Sequence, residues 1–209
     1  MNKKQLEIAL SKLEGFEEPV EGLEQYRTPG SVAADMLHTA YMQGDIAGKT
    51  VADLGCGTGV LAIGAVLLEA KKVYGVDIEP DAIELAVSNE KRALGERRIE
   101  WMLAPVDEFE TKVDTVVQNP PFGIKERHAD TVFLEAALKT AKVIYTIHDG
   151  NEDTRKFINN HVKSLGGAVS WVKRLDFELP RTLEHHRLEL TRIPVDLYRV
   201  VSHETEKNR

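Results

Sequence analysis

The sequence predicts an α/β fold: a doubly wound, mainly parallel, seven-stranded sheet ending in an antiparallel terminal hairpin strand. Three observations predict it. Short apolar runs of strand length alternate with segments of helical periodicity from Thr50 to Leu165. The first of these runs feeds a glycine-rich loop that opens a helix. The last two runs follow one another with no helix between them, so the chain turns back antiparallel.

Each element has its own signal. Leu6, Ala9, Leu10 and Leu13 recur at helical spacing in and just after Lys3–Lys12. Gly15–Gly30 is rich in Gly, Pro and Glu and reads as a loop. Ser31–Gln43 reads as a helix with Ser31 as its N-cap. Thr50–Leu54 is the first strand, Val60–Ala70 a helix, Lys72–Asp77 the second strand, and Pro80–Leu94 a helix opened by proline. Ile99–Leu103 and Val113–Gln118 are the third and fourth strands. Asp130–Ala141 is a helix, Val143–His148 the fifth strand, and Asp153–Leu165 a helix. Ala168–Leu175 and Leu188–Val201 are the two terminal strands. The expectation is one domain over 1–209, with helices and a lid in 1–48 and the α/β core in 49–209.

Composition narrows the function. A chain of 209 residues, 42% of them hydrophobic, suits a globular domain with a full core. No apolar run approaches the roughly 20 residues that cross a bilayer; the longest, Val60–Leu68, ends at Glu69. Met1–Leu13 is charged and lacks a signal-peptide apolar region, so a cytoplasmic location is expected. The single cysteine, Cys56, permits no intrachain disulfide or cysteine zinc cluster and reads as a packing residue. A net charge of −7 argues against nonspecific coating of nucleic acid, but leaves room for a local basic face or a partner that supplies contacts.

The first strand runs into Asp53-Leu54-Gly55-Cys56-Gly57-Thr58-Gly59-Val60. Ligands of open α/β sheets bind beyond the carboxyl ends of the strands. Glycines there let backbone approach a ligand, and the following helix offers free N–H groups. A dinucleotide fingerprint would need glycine where Val60 stands. At the end of the second strand, Asp77 can accept hydrogen bonds from ribose hydroxyls, an arrangement common to several nucleotide-type cofactors.

The most telling feature is Asn119-Pro120-Pro121-Phe122 at the end of the fourth strand. An exocyclic amine on an aromatic base is a poor nucleophile because its lone pair is delocalised. The Asn119 side-chain oxygen and the Pro120 carbonyl can each accept one of its N–H groups, which favours a pyramidal nitrogen. The prolines fix φ and hold that carbonyl in place. Phe122 can stack on a base drawn out of its helix, worth about 1–3 kcal/mol.

Together these residues resemble the adenine amino-methyltransferases of the Rossmann-like class I type. With Leu23-Glu24-Gln25-Tyr26-Arg27-Thr28-Pro29 added, the chain resembles the methyltransferase-like protein five family, which forms N6-methyladenine in small-subunit ribosomal RNA. The resemblance implies S-adenosylmethionine as cofactor and RNA as substrate. It implies a cofactor site of Gln25, Tyr26, Thr28, Asp53, Gly55, Gly57, Thr58, Gly59, Val60, Asp77, Ile78 and Asn119, with Gln25 and Thr28 closing over the methionyl end. Asn119, Pro120, Pro121 and Phe122 are the implied catalytic motif. One position departs from the family. An aspartate expected after the third strand aligns with Pro105, so Val106 backbone or Asp107 stands in for it.

Lys125, Arg127 and His128, and Arg181, His185, His186 and Arg187, are candidate phosphate contacts or solvated loops. His185-His186 has no accompanying carboxylate or cysteine set, so no metal is expected. Ile99–Leu103 should lie at a sheet edge, where the resemblance implies a small zinc-binding activator subunit added by strand pairing. Trp101 would then face that partner or the domain interior. Two other functions stay open: an amino-methyltransferase for DNA adenine or protein glutamine, and a noncatalytic RNA-binding scaffold.

Overall fold

The computed structural model describes residues 1–16, 27–121, 129–182 and 188–202. They form helices α1 (Lys3–Ser11), α2 (Gly30–Met42), α3 (Val60–Leu67), α4 (Pro80–Leu94), α5 (Ala129–Thr140) and α6 (Glu152–Ser164). The strands are β1 (Thr50–Leu54), β2 (Lys72–Asp77), β3 (Ile99–Leu103), β4 (Val113–Gln118), β5 (Ala141–Asp149), β6 (Gly167–Thr182) and β7 (Leu188–Ser202). One seven-stranded sheet runs in the order β3-β2-β1-β4-β5-β7-β6. The first five strands pair in parallel and β7 pairs antiparallel with both β5 and β6. The order reverses between β1 and β4, which places the ligand crevice where Gly55–Gly59 and Asn119 leave their strands.

The central strands β1, β2, β4 and β5 are buried on both faces. One face carries Val51, Val73, Val117, Tyr145 and Ile147 against α1, α2 and α3. The other carries Ala52, Leu54, Val76, Val116 and Ile144 with Leu134 of α5 and Ile158 of α6. Strands buried on both sides read as continuous apolar runs, which is why they were visible in sequence.

Several boundaries shift from the sequence expectation, most of them by one or two residues; three shifts have a clear physical cause, and one short element is added. Helix α2 starts at Gly30 with Pro29 in the N-cap position, so Ser31 is inside the helix and does not cap it. Pro29 is already fixed in φ at −57°, and its carbonyl accepts from Ala33 N. Helix α3 stops at Leu67 because Glu69 turns left-handed at φ 65° and Ala70 N closes a 3.0 Å bond to the Ala65 carbonyl. Strand β6 runs on to Thr182, past Leu175, because its hairpin with β7 stays in register to Leu188. Val106–Glu108 form a 3-10 turn that the sequence did not announce.

Candidate active site

The glycine loop is pinned before any ligand arrives. The N–H groups of Gly55 and Cys56 donate to the Val76 carbonyl at 2.8 and 2.9 Å. Gly57 N donates to Asp77 Oδ2 at 2.7 Å, and Glu79 N donates to Asp77 Oδ1 at 3.0 Å. Asp77 thus ties the loop to the end of β2, and each oxygen keeps lone pairs for a further donor such as a hydroxyl. Gly57 has φ +50° and open space where a Cβ would stand, so its backbone faces a free volume.

Trp101 forms the floor of this loop. A Cβ on Gly59 (φ +81°) would come within 2.7 Å of the indole, and one on Gly75 within 2.3 Å. The indole N–H donates to Glu90 Oε2 at 2.8 Å. Glu90 Oε1 accepts from the N–H groups of Arg98 and Ile99. Of the two orientations open from sequence, Trp101 takes the inward one. Strand β3 does lie at the sheet edge, with Glu100 and Leu103 exposed.

Asp53 is 1% exposed and its Oδ2 accepts from Ala62 N at 2.9 Å, in the first turn of α3. Its Oδ1 is buried without a partner among the described residues. Burial, with Asp77 adding like charge, pushes the Asp53 carboxyl up to about 8. A cation beside Asp53 and Asp77 would draw the Asp53 carboxyl back down and ionise it, so the pair suits a cationic ligand, and the N-terminus of α3 suits a carboxylate. S-adenosylmethionine carries a sulfonium, an ammonium, a carboxylate and ribose hydroxyls, and these residues fit it. Cys56 is buried beside the loop, its thiol raised by burial and by Asp53 and Asp77, which leaves it inert as expected.

At the end of β4, Asn119 is half-buried. Its Nδ2 donates to Thr28 Oγ1 at 3.0 Å, and its Oδ1 is buried with no partner among the described residues. An acceptor is therefore held ready, beside the Pro120 backbone, for a donor that none of the described residues supplies. Thr28 comes from the N-terminal segment, 91 residues away in sequence. Behind Asn119, Gln118 Nε2 donates to Thr146 Oγ1 at 3.1 Å, and Thr146 Oγ1 lies 2.9 Å from His148 Nε2. Asn89, fully buried, donates to the carbonyls of Glu14 and Thr58 and accepts from Glu14 N, which joins the N-terminal segment to the glycine loop. Sequence reasoning missed Asn89, Glu90 and the Gln118 chain, because on a helix or strand they read as ordinary polar positions.

The structure brings Thr28, Asp53, Gly55, Gly57, Thr58, Gly59, Val60, Asp77, Asn119, Pro120 and Pro121 to the carboxyl end of the sheet. Ile78 is 61% exposed beside Asp77. Val106 is buried at the start of the 3-10 turn and Asp107 is exposed within it. Gln25, Tyr26 and Phe122 lie outside the described residues, as do Lys125, Arg127, His128, His185, His186 and Arg187; Arg181 is described in backbone only.

A family model for the ribosomal protein L11 methyltransferase (PrmA) matches residues 34–120. Zebrafish (Danio rerio) rRNA N(6)-adenosine-methyltransferase METTL5 is 35% identical over 95% of this chain and 98% of its own. The Drosophila melanogaster protein of the same description is 35% identical over 94% of each chain. A Pyrococcus horikoshii crystal structure, described provisionally as an RNA methyltransferase, superposes with a TM-score of 0.89 at 43% identity over 97% of this chain and 98% of its own.

Proposed function

This chain belongs to the METTL5 family of rRNA N6-adenosine methyltransferases, and on that premise we propose that it methylates the N6 amine of an adenosine in small-subunit ribosomal RNA. It is an S-adenosylmethionine-dependent methyltransferase. The observation that carries the substrate reading is the unpartnered, buried Oδ1 of Asn119, presented on an amide whose other end is taken by Thr28.

The bound cofactor supplies an electrophilic methyl carbon. The chain's residues do the rest. Asn119 Oδ1 accepts one N–H of the adenine amine and the Pro120 carbonyl accepts the other, which turns the nitrogen lone pair towards the methyl. Such preorganised acceptors favour the transition state because they need not reorient. Asp53 and Asp77 favour the cationic cofactor, and the pinned Gly55–Gly59 loop fixes its position; alignment of this kind is worth several kcal/mol. No strong base is required, since an amine that has gained a methyl on an aromatic ring is acidic enough to lose its proton to water.

Phe122 stacks on the extruded base in this reading, and Gln25 and Thr28 close over the methionyl end of the cofactor. The Val106 backbone or the Asp107 side chain, both in the 3-10 turn after β3, meets the cofactor's adenine. The exposed outer edge of β3 accepts a small zinc-binding activator subunit by strand addition, with Glu100 and Leu103 at the contact. The location is cytoplasmic.

The test is incubation with radiolabelled S-adenosylmethionine and ribosomal RNA, followed by nucleoside analysis. Labelled N6-methyladenosine is expected. Label in DNA or protein alone would overturn the substrate assignment. Copurification with tagged protein tests the zinc-binding subunit, and its absence from the eluate counts against that partner.

A further inference from the structure

We propose that the N-terminal helix pair α1–α2 is a positioning device for the catalytic amide, and that Thr28 is the positioning residue it presents. This rests on the reading of Asn119 as the amine acceptor and adds the group that orients it. A carboxamide is nearly symmetric in shape, and only its oxygen can accept from a substrate amine. Thr28 Oγ1 accepts from Nδ2 at 3.0 Å, which holds the amide plane and leaves Oδ1 to the substrate. Donation through Nδ2 also draws electron density towards Oδ1 and strengthens it as an acceptor.

Thr28 is held on both sides. Before it, the Arg27 guanidinium donates through Nη2 to the Leu10 carbonyl at 2.7 Å, at the carboxyl end of α1, where a cation is favoured. Burial draws the Arg27 pKa down, so this contact offsets a desolvation cost. After it, Pro29 is rigid and Gly30 lies so close to α1 that an added Cβ would meet Ser11 N at 2.9 Å and the Glu7 carbonyl at 3.1 Å. A helix crossing this tight lets Thr28 move little relative to α1. Asn89 then binds Glu14, three residues beyond the end of α1, through both its N–H and its carbonyl and joins it to the Thr58 carbonyl. The anchorage of Thr28 and the cofactor loop thus share one framework, and the catalytic amide is set from outside the sheet that carries it.

The test is a Thr28→Val and Thr28→Ser pair. Valine keeps the shape and removes the acceptor; serine keeps the acceptor. The expected result for Thr28→Val is a kcat at least 10-fold lower, measured at saturating S-adenosylmethionine so that any weaker cofactor binding does not account for it, and restoration by serine. A Thr28 that only contacted cofactor would show the reverse split, weaker S-adenosylhomocysteine binding at unchanged kcat, and that result overturns the proposal. A second readout needs no turnover. The Asn119 side-chain amide protons should shift and exchange faster with solvent in Thr28→Val and not in Thr28→Ser, measured by NMR. Unchanged Asn119 resonances in the valine variant overturn the proposal even if activity falls. Should the wild type form no N6-methyladenosine, the substrate reading fails while the NMR comparison still decides the role of Thr28.

Discussion

Gln118, the residue before Asn119, donates from Nε2 to Thr146 Oγ1 at 3.1 Å across the β4–β5 pair. Thr146 Oγ1 in turn lies 2.9 Å from His148 Nε2, so one hydroxyl links two buried side chains. Replacing Thr146 by valine strips a partner from two buried groups at once. It should lower stability by about 1–3 kcal/mol, read by urea denaturation, whereas serine should lose far less. Equal losses for the two variants would mean that packing, not hydrogen bonding, is what Thr146 contributes.

Removal of the Asn119 oxygen should stop chemistry and spare binding. An Asn119→Ala enzyme is expected to lose about 10²–10³ in kcat, the cost of one preorganised transition-state partner. Calorimetric binding of S-adenosylhomocysteine should stay within a few-fold. Wild-type turnover in this variant would be fatal to the mechanism.

Trp101 supports the cofactor loop from beneath, and Gly75 is where that support has no slack. Gly75→Ala places a Cβ 2.3 Å from the ring in a well-packed interior. The expected cost is about 1–3 kcal/mol of stability, together with weaker cofactor binding as the ring is driven against Gly59. A Gly75→Ala protein with unchanged melting temperature and cofactor affinity would show that the indole yields freely.

The dependence of stability on pH follows from two buried groups. Asp53 titrates near 8 when folded against a usual 3.8, so between those values the native state holds a proton that the unfolded chain has released. Its contribution therefore falls as pH rises through that window. His148 is pushed down to about 3 from 6.5 by burial, so its contribution is lost as pH falls from 6.5 towards 3. Between about 3.8 and 6.5 the two slopes oppose each other; from 6.5 to 8 only the Asp53 decline remains. The apoprotein should lose melting temperature over pH 6.5–8, and Asp53→Asn should flatten that limb. A limb unchanged by the substitution assigns it to another group.

Asp196 is fully buried between the guanidinium groups of Arg155 and Arg174, with Nε contacts at 2.5 and 2.7 Å. Both partners hold its carboxyl below the ordinary range against the opposing effect of burial. Asp196→Ala would leave two cations without their counter-ion. Solvent reaches both guanidinium groups, so the expected loss of stability is well below that of orphaning a buried charge; it is measured by chemical denaturation, and an unchanged midpoint would show that the contacts contribute nothing.

Much of this was legible in the sequence because it is local. Asp53, Gly55–Gly59 and Asp77 announce themselves through spacing along strand and loop, and Asn119–Pro121 through composition. What stayed hidden depends on residues remote from one another. Thr28 meets Asn119 across 91 positions, and Glu90 meets Trp101 from a neighbouring element. Ser31 has the composition of an N-cap but is displaced by a rigid Pro29 and a close helix crossing at Gly30. Nothing in a single sequence records such distances.

The strand order has a consequence for biosynthesis. β7 is made after β6 but sits between β5 and β6. While a ribosome is still building residues 188–202, the outer edge of β5 has no neighbour, so the catalytic end of β4 rests on an unfinished support. Closure waits for a late, long-range pairing, and such contacts form slowly. A nascent chain would therefore remain inactive, with an open edge for chaperones to shield, until β7 slots home.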